Sequence, residues 1–302
     1  MIALPKRVQL KEVGPRDGLQ NEKSFIETTD KIAFIDRLSE TGLDYLEVTS
    51  FVHPKWIPQL ADATEVLKAI KRKKGITYAA LVPNSKGLER ALEAGVDEVS
   101  IFMSASEGHN KANINKTIDE TFPILKEVVD GAIFSGKTVR GYISTVIACP
   151  YDGYVSPSQV VKVAERLFEM GITEISLGDT IGVGVPTQVD ALLNEMLQYF
   201  NVNQLAMHFH DTRGTALANV MTSLSHGIHK FDSSIGGLGG CPYAKGASGN
   251  VATEDLLYLL HGMGIETGVS LDKIEQSALF IEQKIGKRLN SKLVAVARGE
   301  EL

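Results

Sequence analysis

Short β-branched or apolar runs alternate along this chain with longer stretches in which apolar residues return every three or four positions. The first pattern predicts buried strands and the second amphipathic helices. Strands are expected at 8–13, 44–49, 77–82, 97–102, 138–146, 173–178, 204–209 and 231–236. Helices are expected at 29–41, 57–73, 84–94, 116–135, 156–170, 186–200, 213–226 and 252–263. Thr29-Asp30 offers a side-chain cap to the first helix, which runs through Ile32, Ile35 and Leu38. Ser156-Pro157 puts proline in a first helical turn, where its missing N–H costs nothing. Gly42, Gly75, Gly95 and Gly171 precede strands, where a helix ends in a left-handed residue. The phrases ETGLDYLEV, EAGVDEVSI and EMGITEISL echo one helix–glycine–strand unit, the mark of a parallel βα repeat.

Eight such units in about 240 residues predict a TIM (β/α)8 barrel. The barrel is expected over about residues 7–263 of a single catalytic domain spanning 1–302, with an extra C-terminal helical segment from 264 that includes a helix at 271–286. A doubly wound open sheet is the competing fold. It would need G-x-G-x-x-G after the first strand, and this chain has Val13-Gly14-Pro15-Arg16-Asp17-Gly18 there.

The net charge of −6 speaks against a nucleic-acid partner, because phosphate binding needs a clustered basic surface. The run Arg72-Lys73-Lys74 is too short to supply one and reads as a solvated helix end. No stretch reaches the roughly 18 apolar residues of a membrane helix, so no membrane partner is expected. Two cysteines do not make a disulfide framework, which fits a reducing cytosol. The first residues lack a signal-peptide core and are poor in Arg and Ser, and the last are not a peroxisomal address, so the expected location is cytoplasmic. A homodimer is expected from the frequency of twofold assemblies.

A barrel gathers its chemistry at the C-terminal ends of its strands. Arg16 and Asp17 follow the first strand, Glu47 lies near the end of the second, and Arg140 and Tyr142 are on the fifth. Asp179 follows the sixth, His208-Phe209-His210-Asp211 ends the seventh, and the glycine-rich stretch Gly236–Cys241 and Asn250 follow the eighth. On a strand, residues i and i+2 point to one side about 6.5–7 Å apart, so His208 and His210 can meet one ion. Asp17 would add charge and Asn250 an amide oxygen. Such N and O donors suit Mg2+, Mn2+, Co2+ or Zn2+, although one histidine could equally be a hydrogen-bonded core group. Arg16 can stabilise an enolate or carboxylate, or pair with Glu47 or Asp179. Arg140 can bind substrate or fill the barrel interior against Tyr142. Cys241, among glycines, can be a nucleophile or an acid/base, or a small buried hydrophobe. His53, His109, His226, His229 and His261 carry no signal.

The segment Gly14-Pro15-Arg16-Asp17-Gly18-Leu19-Gln20-Asn21-Glu22 resembles the opening signature of 3-hydroxy-3-methylglutaryl-CoA lyases. Ser176–Gly182 and His208–Thr212 are similar to that family's sixth- and seventh-strand motifs, and Gly237–Tyr243 with Gly246–Asp255 is similar to its cysteine loop. The likeness runs from about residue 7 to near the C-terminus. Its Arg-Asp and His-x-His parts are shared with a wider group of metal-dependent barrel lyases and Claisen synthases, whereas the cysteine loop is the narrow part. The resemblance implies cleavage of 3-hydroxy-3-methylglutaryl-CoA to acetyl-CoA and acetoacetate. It implies a divalent metal, Mg2+ or Mn2+ foremost, on Asp17, His208, His210 and Asn250. Arg16 would hold the thioester oxygen and Cys241 would transfer a proton. Glu47, Asp179 and His208 would be catalytic or supporting groups, and Gln20, Arg140 and Tyr142 would face the substrate.

Other readings share part of this set. A synthase joining acetyl-CoA to a 2-oxo acid would use Arg16, Asp17 and the histidine pair without needing Cys241. A Schiff-base aldolase would use Lys245, and a scaffold protein would leave the charged rim without a task. For the CoA portion of an acyl-CoA substrate, Asn84, Ser104, Lys111 and Asn113 are the candidates.

Overall fold

A computed structural model describes residues 4–240 and 249–299. Eight strands, β1 (Gln9–Glu12), β2 (Tyr45–Ser50), β3 (Thr77–Leu81), β4 (Glu98–Ser104), β5 (Thr138–Ser144), β6 (Glu174–Asp179), β7 (Leu205–Phe209) and β8 (Lys230–Ser233), close into a barrel. Every neighbouring pair is parallel, and the ring closes where Gln9 to Glu12 pair with Lys230 to Ser233. This is the expected TIM barrel. Each expected strand is present, with small shifts at the ends.

The helices are α1 (Thr28–Leu38), α2 (Ala63–Ala69), α3 (Ser85–Glu93), α4 (Glu107–Ile114), α5 (Ile118–Phe134), α6 (Pro157–Glu169), α7 (Pro186–Met196), α8 (Ala216–Ser225), α9 (Thr253–Gly262), α10 (Leu271–Ile285) and α11 (Lys292–Ala297). Ser156 caps α6 by accepting from Gln159 N, with Pro157 in the first turn as expected. Gly42, Gly95 and Gly171 have φ of +98°, +82° and +99°, a backbone that a Cβ disfavours. The C-terminal helices close on the barrel's first: α10 lies against α1, where the Arg37 guanidinium stacks 4.5 Å from the Phe280 ring.

Alternation along the strands separates two environments. One set of side chains, including Leu46, Val99, Ile101, Ile143, Ile175, Leu177, Met207 and Phe231, packs outward under the helices as the apolar core. Burying each such side chain contributes roughly 1.5–3 kcal/mol. The other set points into the lumen and is largely polar. Lys11 of β1 reaches Glu174 of β6 at 2.8 Å, and Arg140 of β5 reaches Asp232 of β8 at 2.6 Å. Neither pair of strands is adjacent, so both contacts span the interior.

Three local expectations are corrected. The first helix begins at Thr28, so Thr29 and Asp30 lie inside it and do not cap it; Glu27 at the cap position makes no side-chain bond, and Thr28 Oγ1 donates to Asp62 Oδ2 at 2.8 Å. The helix expected at 57–73 is a short turn at Pro58–Leu60 followed by α2, after which Ile70 is extended. Helix α4 was not expected, since its sequence has no apolar period. It forms because Ser106 caps it at His109 N and Asn115 ends it in a left-handed conformation. A two-residue hairpin pairing 148–149 with 153–154 braces it, with Asp152 accepting from Ser106 Oγ and Gly108 N at 2.7 Å each.

Candidate active site

The chain leaves β1 through one wide turn at Gly14–Gly18, in which Leu19 N reaches back to Gly14 O and Gly18 N to Val13 O. Glu12 fixes its entry by accepting from Gly14 N at 2.7 Å, from Ile235 N at 3.0 Å and from Thr253 Oγ1 at 2.6 Å. A Cβ on Gly14 would lie 2.5 Å from Glu12 Oε1, so only glycine passes. The turn delivers Arg16 and Asp17 to the rim. Arg16 Nη1 donates to Asp17 Oδ1 at 2.6 Å and Arg16 Nε to Glu47 Oε2 at 2.5 Å. Gln20 Nε2 also donates to Asp17 Oδ1, at 2.9 Å. Burial opposes charge on both Arg16 and Asp17. The Glu47 and Asp17 carboxylates nonetheless raise the guanidinium's pKa, and Arg16 with both imidazoles lowers that of Asp17.

Across the rim stand His208, on β7, and His210, just beyond it, with ring centroids 5.3 Å apart. One donor atom from each of Asp17, His208 and His210 lies within 4.8 Å of the others; both histidines are buried, and the Asp17 side chain keeps a small exposure. His208 Nε2 is 3.9 Å from Asp17 Oδ2, while its Nδ1 is 3.0 Å from Asp232 Oδ2. His210 Nδ1 is buried with no hydrogen-bond partner among the described residues. Burial, with His208 beside it, pushes the His210 pKa down to about 4, leaving a neutral imidazole with a free lone pair. An orphaned imidazole nitrogen, a second imidazole and an ionised carboxylate fit a divalent cation. Asn250 adjoins this group, but its amide nitrogen faces Asp17 Oδ2, at 2.8 Å.

The remaining residues divide by position. Glu47 is fully buried and also accepts from Tyr142 OH at 3.2 Å. Arg16 therefore pairs with Glu47 and not with Asp179. The Tyr142 ring stands between two guanidiniums, 5.4 Å from that of Arg16 and 4.7 Å from that of Arg140, with the His208 ring edge-on at 6.0 Å. Asp179 accepts from Gly184 N at 2.8 Å and Val183 N at 3.2 Å, and burial raises its pKa. Arg140 is corrected as a substrate-binding candidate: it is 0% exposed and occupied by Glu174 and Asp232, so it fills the interior against Tyr142. Asn84 and Ser104 are likewise engaged, Asn84 capping α3 and Ser104 bonded to Thr145 and His109. Lys111 and Asn113 lie on α4. Cys241 and Lys245 lie outside the described residues.

The sequence reading missed Asp232 and Glu12. A charge inside the strand run FDSS was the available signal for Asp232. Glu254, which accepts from Gly236 N at 2.8 Å, was also missed.

Residues 7–281 match the family model described as HMGL-like. The chain is 58% identical over 292 residues to hydroxymethylglutaryl-CoA lyase YngG of Bacillus subtilis, covering 97% of this chain and 98% of that one. The crystal structure of a B. subtilis HMG-CoA lyase superposes with a TM-score of 0.96 at 57% identity, covering 98% of this chain and 99% of that one. An HMG-CoA lyase from Acinetobacter baumannii, in complex with coenzyme A and 3-methylmalate, superposes with a TM-score of 0.93 at 39% identity, covering 100% of this chain and 99% of that one.

Proposed function

The chain belongs to the HMGL-like family, and from that premise we propose that it is a hydroxymethylglutaryl-CoA lyase, cleaving 3-hydroxy-3-methylglutaryl-CoA to acetyl-CoA and acetoacetate. The observation that carries this reading is the convergence of Asp17, His208 and His210 beside Arg16 at one end of the barrel. The bond that breaks joins the methylene next to the thioester to the tertiary carbinol carbon. Its electron pair passes to the thioester as an enolate, and the hydroxyl loses its proton to become the ketone of acetoacetate. The enolate then takes a proton at carbon to give acetyl-CoA.

Asp17, His208 and His210 would hold the cation, Mg2+ or Mn2+, with Asn250 as a fourth ligand once its amide presents oxygen. Bound there, a divalent ion lowers the pKa of an oxygen it touches. Arg16, buried and held by Glu47 beside the Tyr142 ring, stabilises negative charge on the thioester oxygen. Asp179 is the candidate base for the hydroxyl proton: burial makes its carboxylate more basic, and two backbone amides fix its orientation. Cys241 is assigned the return of a proton to the enolate carbon. Gln20 steadies Asp17, and Lys111 and Asn113 remain the candidates for the CoA portion. The barrel and its C-terminal helices act as one catalytic unit.

The 2-alkylmalate synthase alternative is not favoured, because a relative at 58% identity is a lyase. Metal-stripped protein given Mg2+ or Mn2+ and the CoA ester should release acetoacetate. Failure with both cations, or release of free CoA from acetyl-CoA and a 2-oxo acid, would overturn the assignment. No described helix is long and apolar enough to cross a membrane. The same reading takes the protein as a cytoplasmic homodimer, which cell fractionation and sedimentation velocity test.

A further inference from the structure

His208 and His210 are not equivalent, and the difference originates below the rim. Asp232 on β8 is fully buried, and β8 pairs with β7 in a register that sets Asp232 opposite His208. Its Oδ1 accepts from Arg140 Nη2 at 2.6 Å, and its Oδ2 accepts from Ser176 Oγ at 2.7 Å. The same Oδ2 is 3.0 Å from His208 Nδ1. The Arg140–Asp232 ion pair is fully buried on both sides, so Asp232 stands beside His208 as a carboxylate paired with a guanidinium. An ionised carboxylate can only accept, so the proton of a neutral His208 belongs on Nδ1. The lone pair then sits on Nε2, the nitrogen 3.9 Å from Asp17 Oδ2. His210 Nδ1 has no such partner among the described residues.

We infer that Asp232 is a positioning residue for metal binding: anchored by Arg140 and Ser176, it fixes the tautomer and ring orientation of His208 so that Nε2 faces the cation. This inference rests on the metal reading given above. Carboxylates placed behind a ligating imidazole orient it and raise its basicity. Arg140 would thereby act on the cation site through Asp232 and His208, without touching the ion. A second nitrogen, Nε, donates to Glu174 at 2.7 Å, which anchors the guanidinium across the lumen.

Two measurements test this. The first is Mn2+ affinity of the metal-free protein and of Asp232→Asn, read from the EPR signal of free Mn2+. The variant should bind roughly 10–100-fold more weakly, with an unchanged far-UV CD spectrum. The second needs no variant, since a charge removed beside Arg140 can unfold the chain. Nitrogen-15 NMR of the metal-free wild type, at about pH 8 where an ordinary imidazole is neutral, should show His208 as the Nδ1–H tautomer. An Nε2–H tautomer, or a folded Asp232→Asn protein with Mn2+ affinity within twofold of wild type, overturns the role of Asp232 alone. A wild type that takes up no Mn2+ overturns the metal reading itself, and this role with it.

Discussion

Arg16 Nε donates to Glu47 Oε2 at 2.5 Å inside the barrel mouth, a contact that ties the turn after β1 to the place where β2 shifts register against β3. Both side chains are buried, so neither charge is screened by solvent. A register shift re-aims the strand locally, and here it falls just after Glu47, whose Oε2 also accepts from Tyr142 OH.

Arg16→Lys keeps the charge but loses the fork that touches Glu47 and Asp17 at once. We expect kcat to fall by about 10²–10³, the effect of losing one preorganised donor to a developing oxyanion, with KM changing far less. A kcat within threefold of wild type would remove Arg16 from the chemistry.

His210→Ala should weaken divalent-metal binding strongly while leaving the barrel folded, because its Nδ1 makes no hydrogen bond among the described residues. Calorimetric titration of the metal-free variant reads the loss, and thermal unfolding checks the fold. Unchanged metal affinity would remove His210 from the ligand set.

Stability should respond to pH through Glu12, which burial raises from 4.5 to about 7. The folded state then holds a proton that the unfolded state has released, so stability is full below about pH 4.5 and declines as pH rises toward about 7. The span corresponds to on the order of 3 kcal/mol. Glu174 acts in the opposite sense: Lys11, Lys230 and Arg140 outweigh its burial and lower it to about 2, so its contribution is lost as pH falls from 4.5 to about 2. Urea unfolding across pH should show Glu12→Gln flattening only the upper slope. An unaltered upper slope would assign it to another group.

Cys241→Ser should cut turnover sharply while the CoA ester still binds, since a hydroxyl is a much weaker acid than a thiol. Steady-state kinetics with a parallel binding assay separates the two effects. Near-normal turnover would take proton transfer away from Cys241.

The barrel was legible because its signals are local. Strand periods, the glycines at 42, 95 and 171, and the proline at 157 depend on residues a few positions apart. The rim was legible for a related reason: in parallel βα units every strand ends on one side, so Asp17, Glu47, Asp179 and the two histidines had to share a face. Helix α4 escaped because its stability comes from the Ser106 cap and the brace of Asp152, not from an apolar stripe.

Sequence alone therefore determined the architecture and which end of it carries the chemistry. Tertiary structure decided the partnerships: that Arg16 takes Glu47 and not Asp179, that Arg140 supports Asp232 and Glu174 instead of a substrate, and that Asn250 turns its nitrogen to Asp17. The reason is geometric. Which side chains meet across a closed barrel depends on strand tilt and register around the ring, and those are set by packing of the whole sheet, not by the spacing of residues along any one segment.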